Sequence, residues 1–580
     1  MARTYECPYS LEIPVQDVAS FIFTAGTPES RRQPQYFDAE KPERNYSLQQ
    51  AEVWVRRIAK GLQDLGLQAD DKVFLCSANS LYFPVLLWAV MASGCVFSGC
   101  SPNASVSGKS RLTPFPFRLF PLNDCDAELV LANAASMAKV QEAVRKVGRP
   151  GLRVYEFTEP DIPDSAGSGV TPWTDFWASE SRISGWDWPK LDTKEKAMAK
   201  TAVVNYSSGT TGLPKGVELS HYNLISNSAQ NLFKRQLVAD TPAGLARKSR
   251  LDSAGERWLA PFPMFHAYGQ NYYCLNAARC GAKVFVMGKY DLERWLTYLD
   301  IYRINFLTGT PTVFASLTKY PHPEKFNLKA VESVISGSAP LSAEIGQLVA
   351  KRYLRPGIVV KQGWGMTEST CTATGFAQDD EDDGASIGWL SSNMSAKIVP
   401  IPGRDFGPSE VTKRYPVGEI WLAGPNIMKG YYKKPRETAA TIVNEDGKRW
   451  LRTGDIGYVN DQGRFYIIDR LKELIKVKGF QVAPAEIEQM LLLHPSVADA
   501  AVVGFKMNNG EYPKGYVVKK QQARDVTAEE LQDFIKARLS KVKWLTAGVE
   551  FINAIPRNNT GKIERRKLNS GDGSSMTPKL

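Results

Sequence analysis

A chain of 580 residues is too long for one hydrophobic core, so several sub-domains are expected. With 43% hydrophobic and 23% charged residues it has the composition of a globular enzyme, and its eight scattered cysteines, without a C-x-x-C pair, argue against a disulfide scaffold or zinc site and for a reducing compartment. The net charge of +11 is concentrated toward the C-terminal region and suits an anionic ligand, whereas the lack of an aromatic-and-basic motif or zinc-finger spacing argues against nucleic acid.

In chain order, "MARTYECPYS" lacks the apolar stretch of a signal peptide. "DKVFLCSAN" reads as a strand. The run Leu81–Cys100 is long enough to span a bilayer, but Pro84, Ser93, Gly94 and Ser98 interrupt it; it reads as a buried helix followed by a buried strand, not as a transmembrane segment. "GKSRLTPFPFRLFPLN", Gly108–Asn123, has two Pro-Phe pairs and no helical period, and reads as the translation of an unspliced intron. "AELVLAN" then precedes the helical "AASMAKVQEAVRKV", "TAVVN" precedes a small-residue loop and the helical "YNLISNSAQNLF", "INFLTGTP" precedes "TVFASLTKY", and "AVESVISGSAP" precedes "LSAEIGQLVAKRY". This is the rhythm of α/β layers with functional loops after the strands. "DDEDD", Asp379–Asp383, reads as an exposed loop, and "VPIPGRDFGPSE" as a turn-rich connector into a β-rich segment containing "VGEIWLAG". Beyond "RFYIIDRLKELIKVKGFQVAP" a smaller α+β unit follows, with helices at "PAEIEQMLLLH" and "AEELQDFIKARLS", then a Gly/Ser-rich tail. The fold class is α/β: a large N-terminal domain of α/β layers with a β-rich sub-domain over 1–469, a small α+β domain over 470–570, and a flexible tail over 571–580.

The loop "YSSGTTGLPKGVELSH", Tyr206–His221, has the makings of a phosphate cradle. Gly209, Gly212 and Gly216 permit close backbone approach, Ser207, Ser208, Thr210 and Thr211 offer hydroxyls, and Lys215 offers a point charge. It is not a Walker A loop, because Lys215 precedes Gly216 where that motif needs glycine before lysine.

With "QGWGMTES" (Gln362–Ser369), "WLRTGD" (Trp450–Asp455), "DRLKELIKVKGFQVAPAEIE" (Asp469–Glu488) and "NNTGKIERRKL" (Asn558–Leu568) in that order, the chain resembles the adenylate-forming superfamily of acyl-CoA synthetases, adenylation domains and luciferases. "PMFHAYG" and "GWGMTE" bring it near the 4-coumarate–CoA ligase-like branch. The resemblance implies two half-reactions at one site: a carboxylic acid and ATP give an acyl-adenylate and pyrophosphate, then coenzyme A displaces AMP. It implies that the loop from Ser207 through Gly209 and Gly212 to Lys215 holds the β- and γ-phosphates, that Glu368 is the Mg²⁺ ligand, that Thr367 meets the α-phosphate, and that Asp455, helped by Arg470, takes the ribose hydroxyls. Gln362, Gly363 and Trp364 would line the adenine and acyl sites, Trp364 stacking on adenine. Lys562 would bridge the attacking carboxylate and the phosphate. Lys472 falls at the hinge of a mobile C-terminal domain, Lys476 and Gln481 at nucleotide-side contacts, and Lys478 and Gly479 at the coenzyme A contact. His266 matches the gate of an acyl pocket that would include Tyr268, Gly337, Ser338, Ala339 and Trp364.

Three other readings stand beside this one. "GASIG" around Ser386 matches the G-x-S-x-G of serine hydrolases, with His494 as the one later histidine. A stand-alone adenylation enzyme would pass its acyl group to a carrier protein, and a non-catalytic homologue would only bind nucleotide. Aryl, arylpropenoic, medium-chain and polyketide-derived acids all remain open as substrates. The ending Pro578-Lys579-Leu580 resembles the peroxisomal address S-K-L, which implies an import receptor as partner and a peroxisomal location, with the cytoplasm as the alternative.

Overall fold

A computed structural model describes residues 3–102, 120–149, 151–162, 167–207, 214–238, 240–402, 410–477, 480–507, 510–520, 525–557 and 562–569. Among them, two seven-stranded sheets form the bulk of the α/β layers. The first runs Gly430–Tyr431, Lys215–Ser220, Thr201–Ser207, Val96–Cys100, Lys72–Cys76, Ala127–Ala132, Arg153–Glu156 in space; the last five strands of that order are parallel. The second runs Val360–Gln362, Ser333–Ser336, Phe306–Gly309, Arg257–Ala260, Lys283–Val286, Pro34–Asp38, Asn45–Ser47, and is parallel except for its last pair. Parallel strands need cover on both faces, and the apolar run after "DKVFLCSAN" supplies one strand of the sheet and part of that cover: every residue of the helix Phe83–Ala92 and the strand Val96–Cys100 is buried. No helix among the described residues is long and apolar enough to cross a membrane.

A six-stranded antiparallel sheet contains Ser395–Val399, Gly418–Ala423, Lys448–Val459 and Phe465–Arg470. After Arg470 come a short hairpin, Ile475–Val477 with Phe480–Val482, and a three-stranded sheet, Val497–Met507, Gly510–Lys519, Val549–Phe551. The helices Pro484–Leu492 and Ala528–Lys536 contribute Ile487, Leu491, Leu531 and Ile535 to a separate apolar core there.

Three expectations change. The small-residue loop does not pass directly into a helix: Lys215–Ser220 is an antiparallel strand paired with Thr201–Ser207, and only then does Ser220 cap the helix His221–Gln236. The alternation in "VELS" is too short to outweigh the helical pattern that follows it. The acidic run is a loop but not a freely solvated one, because Arg247 pairs with Asp379 at 2.9 Å and Arg464 with Asp380 at 3.3 Å. Most of Gly108–Asn123 lies outside the described residues, but its end belongs to the fold: the helix Phe120–Asp124 buries Leu122 in the core beside Phe74 and Val130.

Candidate active site

The strands Thr201–Ser207, Arg257–Ala260, Phe306–Gly309, Ser333–Ser336 and Val360–Gln362 all direct their C-terminal ends to one cavity of about 730 Å³. Crevices at the carboxyl ends of parallel strands are where α/β folds place ligands. Ser207, Lys215, His266, Tyr268, Gly337, Ser338, Gly363, Trp364, Thr367, Glu368, Arg470, Lys472 and Lys562 line it. The fold therefore brings to one wall residues that the sequence reading drew from widely separated segments.

At the small-residue loop, the hairpin register places Lys215 opposite Ser207. The Ser207 hydroxyl is buried without a hydrogen-bond partner among the described residues, as an atom awaiting a polar ligand would be. The Lys215 ammonium stands 4.0 Å from the centre of the Tyr431 ring, and the Tyr431 hydroxyl donates to Glu368 Oε1 at 2.9 Å. Burial draws the Lys215 pKa down. Tyr431 went unnoticed in the sequence, because "GYYKKP" has no motif spacing. Register reveals it: Tyr431 pairs with Val217 on the strand that begins at Lys215.

The loop after Val360–Gln362 is held by close backbone packing. A Cβ on Gly365 would lie 1.8 Å from the Cys371 carbonyl, so the middle of "GWGMTE" must be glycine. Asn227, buried on the helix His221–Gln236, donates to the Thr372 carbonyl at 2.7 Å and accepts from its N–H at 3.1 Å. That clamp fixes the turn carrying Thr367 and Glu368.

Asp455 and Arg470 face each other across antiparallel strands, Nε to Oδ1 at 3.1 Å. Asp455 is 3% exposed, and its Oδ2 accepts from the Trp364 indole N–H at 2.8 Å. It therefore stands behind the cavity wall, covered by Trp364 and Arg470, and not on the wall as expected. Its Oδ1 has no hydrogen bond among the described residues, since the Arg470 contact is an ion pair without hydrogen-bond alignment. An unsatisfied carboxylate oxygen in this position fits a hydroxyl ligand.

The opposite wall is aromatic. Tyr268 and Tyr272 stack at 4.5 Å, and the Tyr272 and Thr372 hydroxyls are 3.3 Å apart. Tyr272 belongs to a π-helix, Gln270–Asn276, a widened turn of the kind often found at functional sites. His266 Nδ1 accepts from the Tyr268 N–H at 3.3 Å, which leaves the ring proton on Nε2. Burial, aided by the charge of Lys562, pushes His266 down to about 4, so the imidazole is neutral at pH 7. Burial and then Arg470 push Lys562 down to about 8.

Several expected residues lie elsewhere. Gln362 is buried under the wall, accepting from the Leu341 N–H at 2.7 Å and donating to the Gly384 carbonyl at 2.9 Å; it braces the strand end and does not line the cavity. Ala339 is exposed outside the lining, because the backbone turns outward after Ser338, whose φ is +79°. Lys476 and Gln481 pair across the hairpin of the C-terminal unit, off the wall. Ser208–Gly212, Lys478 and Gly479 lie outside the described residues. Ser386 is no nucleophile: it is 2% exposed, donates to the Phe465 carbonyl at 3.2 Å and accepts from the Gly388 N–H at 2.9 Å, while His494 packs on Phe534 in the C-terminal unit.

Comparison with known proteins agrees with this geometry. The family model described as AMP-binding enzyme matches residues 16–432, and that of the AMP-binding enzyme C-terminal domain matches 486–562. The chain is 34% identical over 564 residues to phenylacetyl-CoA ligase epaB of Aspergillus niger, covering 96% of this chain and 97% of that one. It is 38% identical over 535 residues to a probable 4-coumarate–CoA ligase of Dictyostelium discoideum, covering 89% and 88%. It is 31% identical over 529 residues to the peroxisomal OPC-8:0-CoA ligase 1 of Arabidopsis thaliana, covering 89% and 87%. ATP-bound MatB from Rhodopseudomonas palustris shares the fold, with a TM-score of 0.77 at 23% identity over 96% of this chain and 98% of that one. The chain belongs to the adenylate-forming family of AMP-binding enzymes. Within that family it is a 4-coumarate–CoA ligase-like member.

Proposed function

We propose that this chain activates an aromatic or arylalkanoic carboxylic acid. The chemistry is that of an ATP-dependent, AMP-forming acyl-CoA ligase, with ATP and coenzyme A as co-substrates. The observation that carries the acid class is the stretch of the cavity lining formed by Phe262, Tyr268, Tyr272 and Cys371, an uncharged and largely aromatic wall in which Tyr268 and Tyr272 stack at 4.5 Å. Such a wall favours a neutral aromatic tail over a second carboxylate.

In the first half-reaction a carboxylate oxygen attacks the α-phosphorus and the bond to pyrophosphate breaks. Lys562 lies between the acyl and phosphate sides and neutralises charge that builds there. Neutral His266 offers Nε2–H to the acid. The Ser207–Lys215 segment holds the β- and γ-phosphates, and Thr367 meets the α-phosphate. Asp455 and Arg470 take the ribose, which requires the Trp364 indole to leave Asp455 and lie against adenine. Glu368, a hard oxygen donor in the cavity lining, is the residue that would hold Mg²⁺ beside the phosphates. Bound there, the ion would screen phosphate charge.

In the second half-reaction the coenzyme A thiol attacks the acyl carbonyl and AMP leaves. We assign this step to a rotation of residues 470–570 about Lys472, which withdraws Lys562, brings Lys476 and Gln481 toward the nucleotide, and presents Lys478 and Gly479 to coenzyme A. Residues 1–469 form the static domain.

The test is ATP-dependent pyrophosphate release with phenylacetate, 4-coumarate, octanoate and malonate. The two aryl acids should react fastest; preference for octanoate or malonate would overturn the assignment. We extend the proposal to location: the Pro-Lys-Leu ending, outside the described residues, together with the peroxisomal relative, supports import by a peroxisomal receptor. A fluorescent protein fused at the N-terminus should give punctate signal that disperses when Pro578–Leu580 is removed; diffuse signal from the intact tail would refute it.

A further inference from the structure

The segment that carries Lys562 is tied down on both sides. Before it, Arg557 pairs with Asp499 at 2.9 Å and bridges to Ile563. After it, Leu568 is 2% exposed and its carbonyl accepts from the Tyr516 hydroxyl at 2.9 Å. Between these anchors, three residues from Lys562, Arg565 extends into a cluster of carboxylates. Its Nε is 3.3 Å from Glu473 and its Nη2 is 3.1 Å from Glu488, and it bears electrostatically on Asp469.

These acids come from different elements. Glu473 lies on the turn directly after Lys472, and its charge also bears on Arg470 and Lys562 at the cavity. Glu488 sits on the helix Pro484–Leu492, 8% exposed, and also accepts from the Val502 N–H at 2.7 Å. Asp469 is the penultimate residue of the strand Phe465–Arg470 and accepts from the Arg470 and Ala485 N–H groups at 2.6 and 3.3 Å. One guanidinium thus faces three carboxylates from the strand before Lys472, the turn after it, and the helix beyond. The guanidinium reaches two of them from different nitrogens, Nη2 by a hydrogen bond to Glu488 Oε2 at 3.2 Å and Nε by an ion pair with Glu473 without hydrogen-bond alignment, a spread that a single ammonium does not offer.

We infer that Arg565 is a positioning residue: it couples the segment bearing Lys562 to the turn at Lys472, so that Lys562 reaches the cavity only while that turn keeps its present arrangement. The inference rests on the role proposed above for Lys562. It gives that lysine a mechanical partner that does not line the cavity.

The test compares Arg565→Lys, which keeps the charge but loses the fork, with Glu473→Gln, a near-isosteric change at a half-buried site. Each is assayed for pyrophosphate release with the fastest acid of the panel, and separately for acyl-CoA formation from that acid's synthetic adenylate and coenzyme A. Misplacing a catalytic group by about an ångström costs on the order of tenfold to a hundredfold, so pyrophosphate release should fall by about that factor in both variants, while thioester formation stays within about twofold of the parent. Equal loss in both half-reactions, or no loss in the first, overturns the inference. Lys562→Ala run alongside separates the two claims. If it abolishes pyrophosphate release while Arg565→Lys and Glu473→Gln do not reduce it, only the coupling fails; if it leaves pyrophosphate release intact, the role of Lys562 fails and the coupling falls with it.

Discussion

Adenylate formation should have an alkaline limb set by Lys562. The lysine carries a folded-state pKa of about 8 against an ordinary 10.5, because burial and Arg470 both disfavour its charge. A difference of that size corresponds to about 3 kcal/mol at neutral pH, since one pKa unit is about 1.4 kcal/mol. The sign follows from linkage: between the two values the unfolded chain holds the proton that the folded chain has released, so the penalty is full below pH 8 and fades as pH rises toward 10.5. An anionic phosphate and carboxylate beside the amine reverse its cause, so ATP and acid should restore the charge. The free enzyme therefore sets the limb in kcat/KM, which should drop about tenfold per pH unit above about 8, while the limb in kcat should lie higher. The assay is pyrophosphate release from pH 6.5 to 10 at subsaturating and saturating ATP. Burial also lowers Lys215 in the same cavity, so the comparison needs Lys562→Ala, whose residual rate should lack the limb. A flat profile through pH 9.5, or a limb that survives in Lys562→Ala, would refute the reasoning.

Trp364→Phe removes the indole N–H from Asp455 and should destabilise the nucleotide-free protein by about 1–3 kcal/mol, with a larger ATP-induced rise in melting temperature than the parent shows; equal losses with and without ATP would contradict a ribose role for Asp455. Tyr431→Phe frees Glu368 Oε1 from its hydroxyl and should raise the KM for ATP severalfold with little change in the KM for the acid, measured by initial rates. Gly365→Ala should lower stability by about 1–3 kcal/mol or more, read as a lower melting temperature, because its methyl has no room against the Cys371 carbonyl.

Much of this was legible in the sequence because it is local. The small-residue loop, "GWGMTE", "WLRTGD" and the lysine of "TGKIE" are each legible within a few residues and each bring residues to one cavity, and the alternation of β-branched runs with helical patterns marks the α/β layers. What was not legible depends on register and close packing. Tyr431 joins Glu368 to Lys215 only because its two-residue strand pairs beside Val217. Gln362 follows a strand into the site, yet its amide turns to the backbone of Leu341 and Gly384 and away from the cavity. Asp455 carries the expected charge, but its cover by Trp364 is a contact across 91 residues that no motif encodes. The strand Lys215–Ser220 was hidden because a helical pattern begins at once after it. Nothing within the run "KIERRK" sets Arg565 apart; only the fold surrounds it with three acids.

The most direct test of the central claim uses an acid labelled with ¹⁸O in both carboxylate oxygens, incubated with ATP, Mg²⁺, coenzyme A and the full chain. If the carboxylate attacks the α-phosphorus and the thiol then attacks the acyl carbonyl, one labelled oxygen stays with the phosphate when AMP departs. Mass spectrometry should find AMP carrying one ¹⁸O, unlabelled pyrophosphate, and acyl-CoA retaining the other label. Unlabelled AMP, or label in inorganic phosphate with ADP as co-product, would contradict the account.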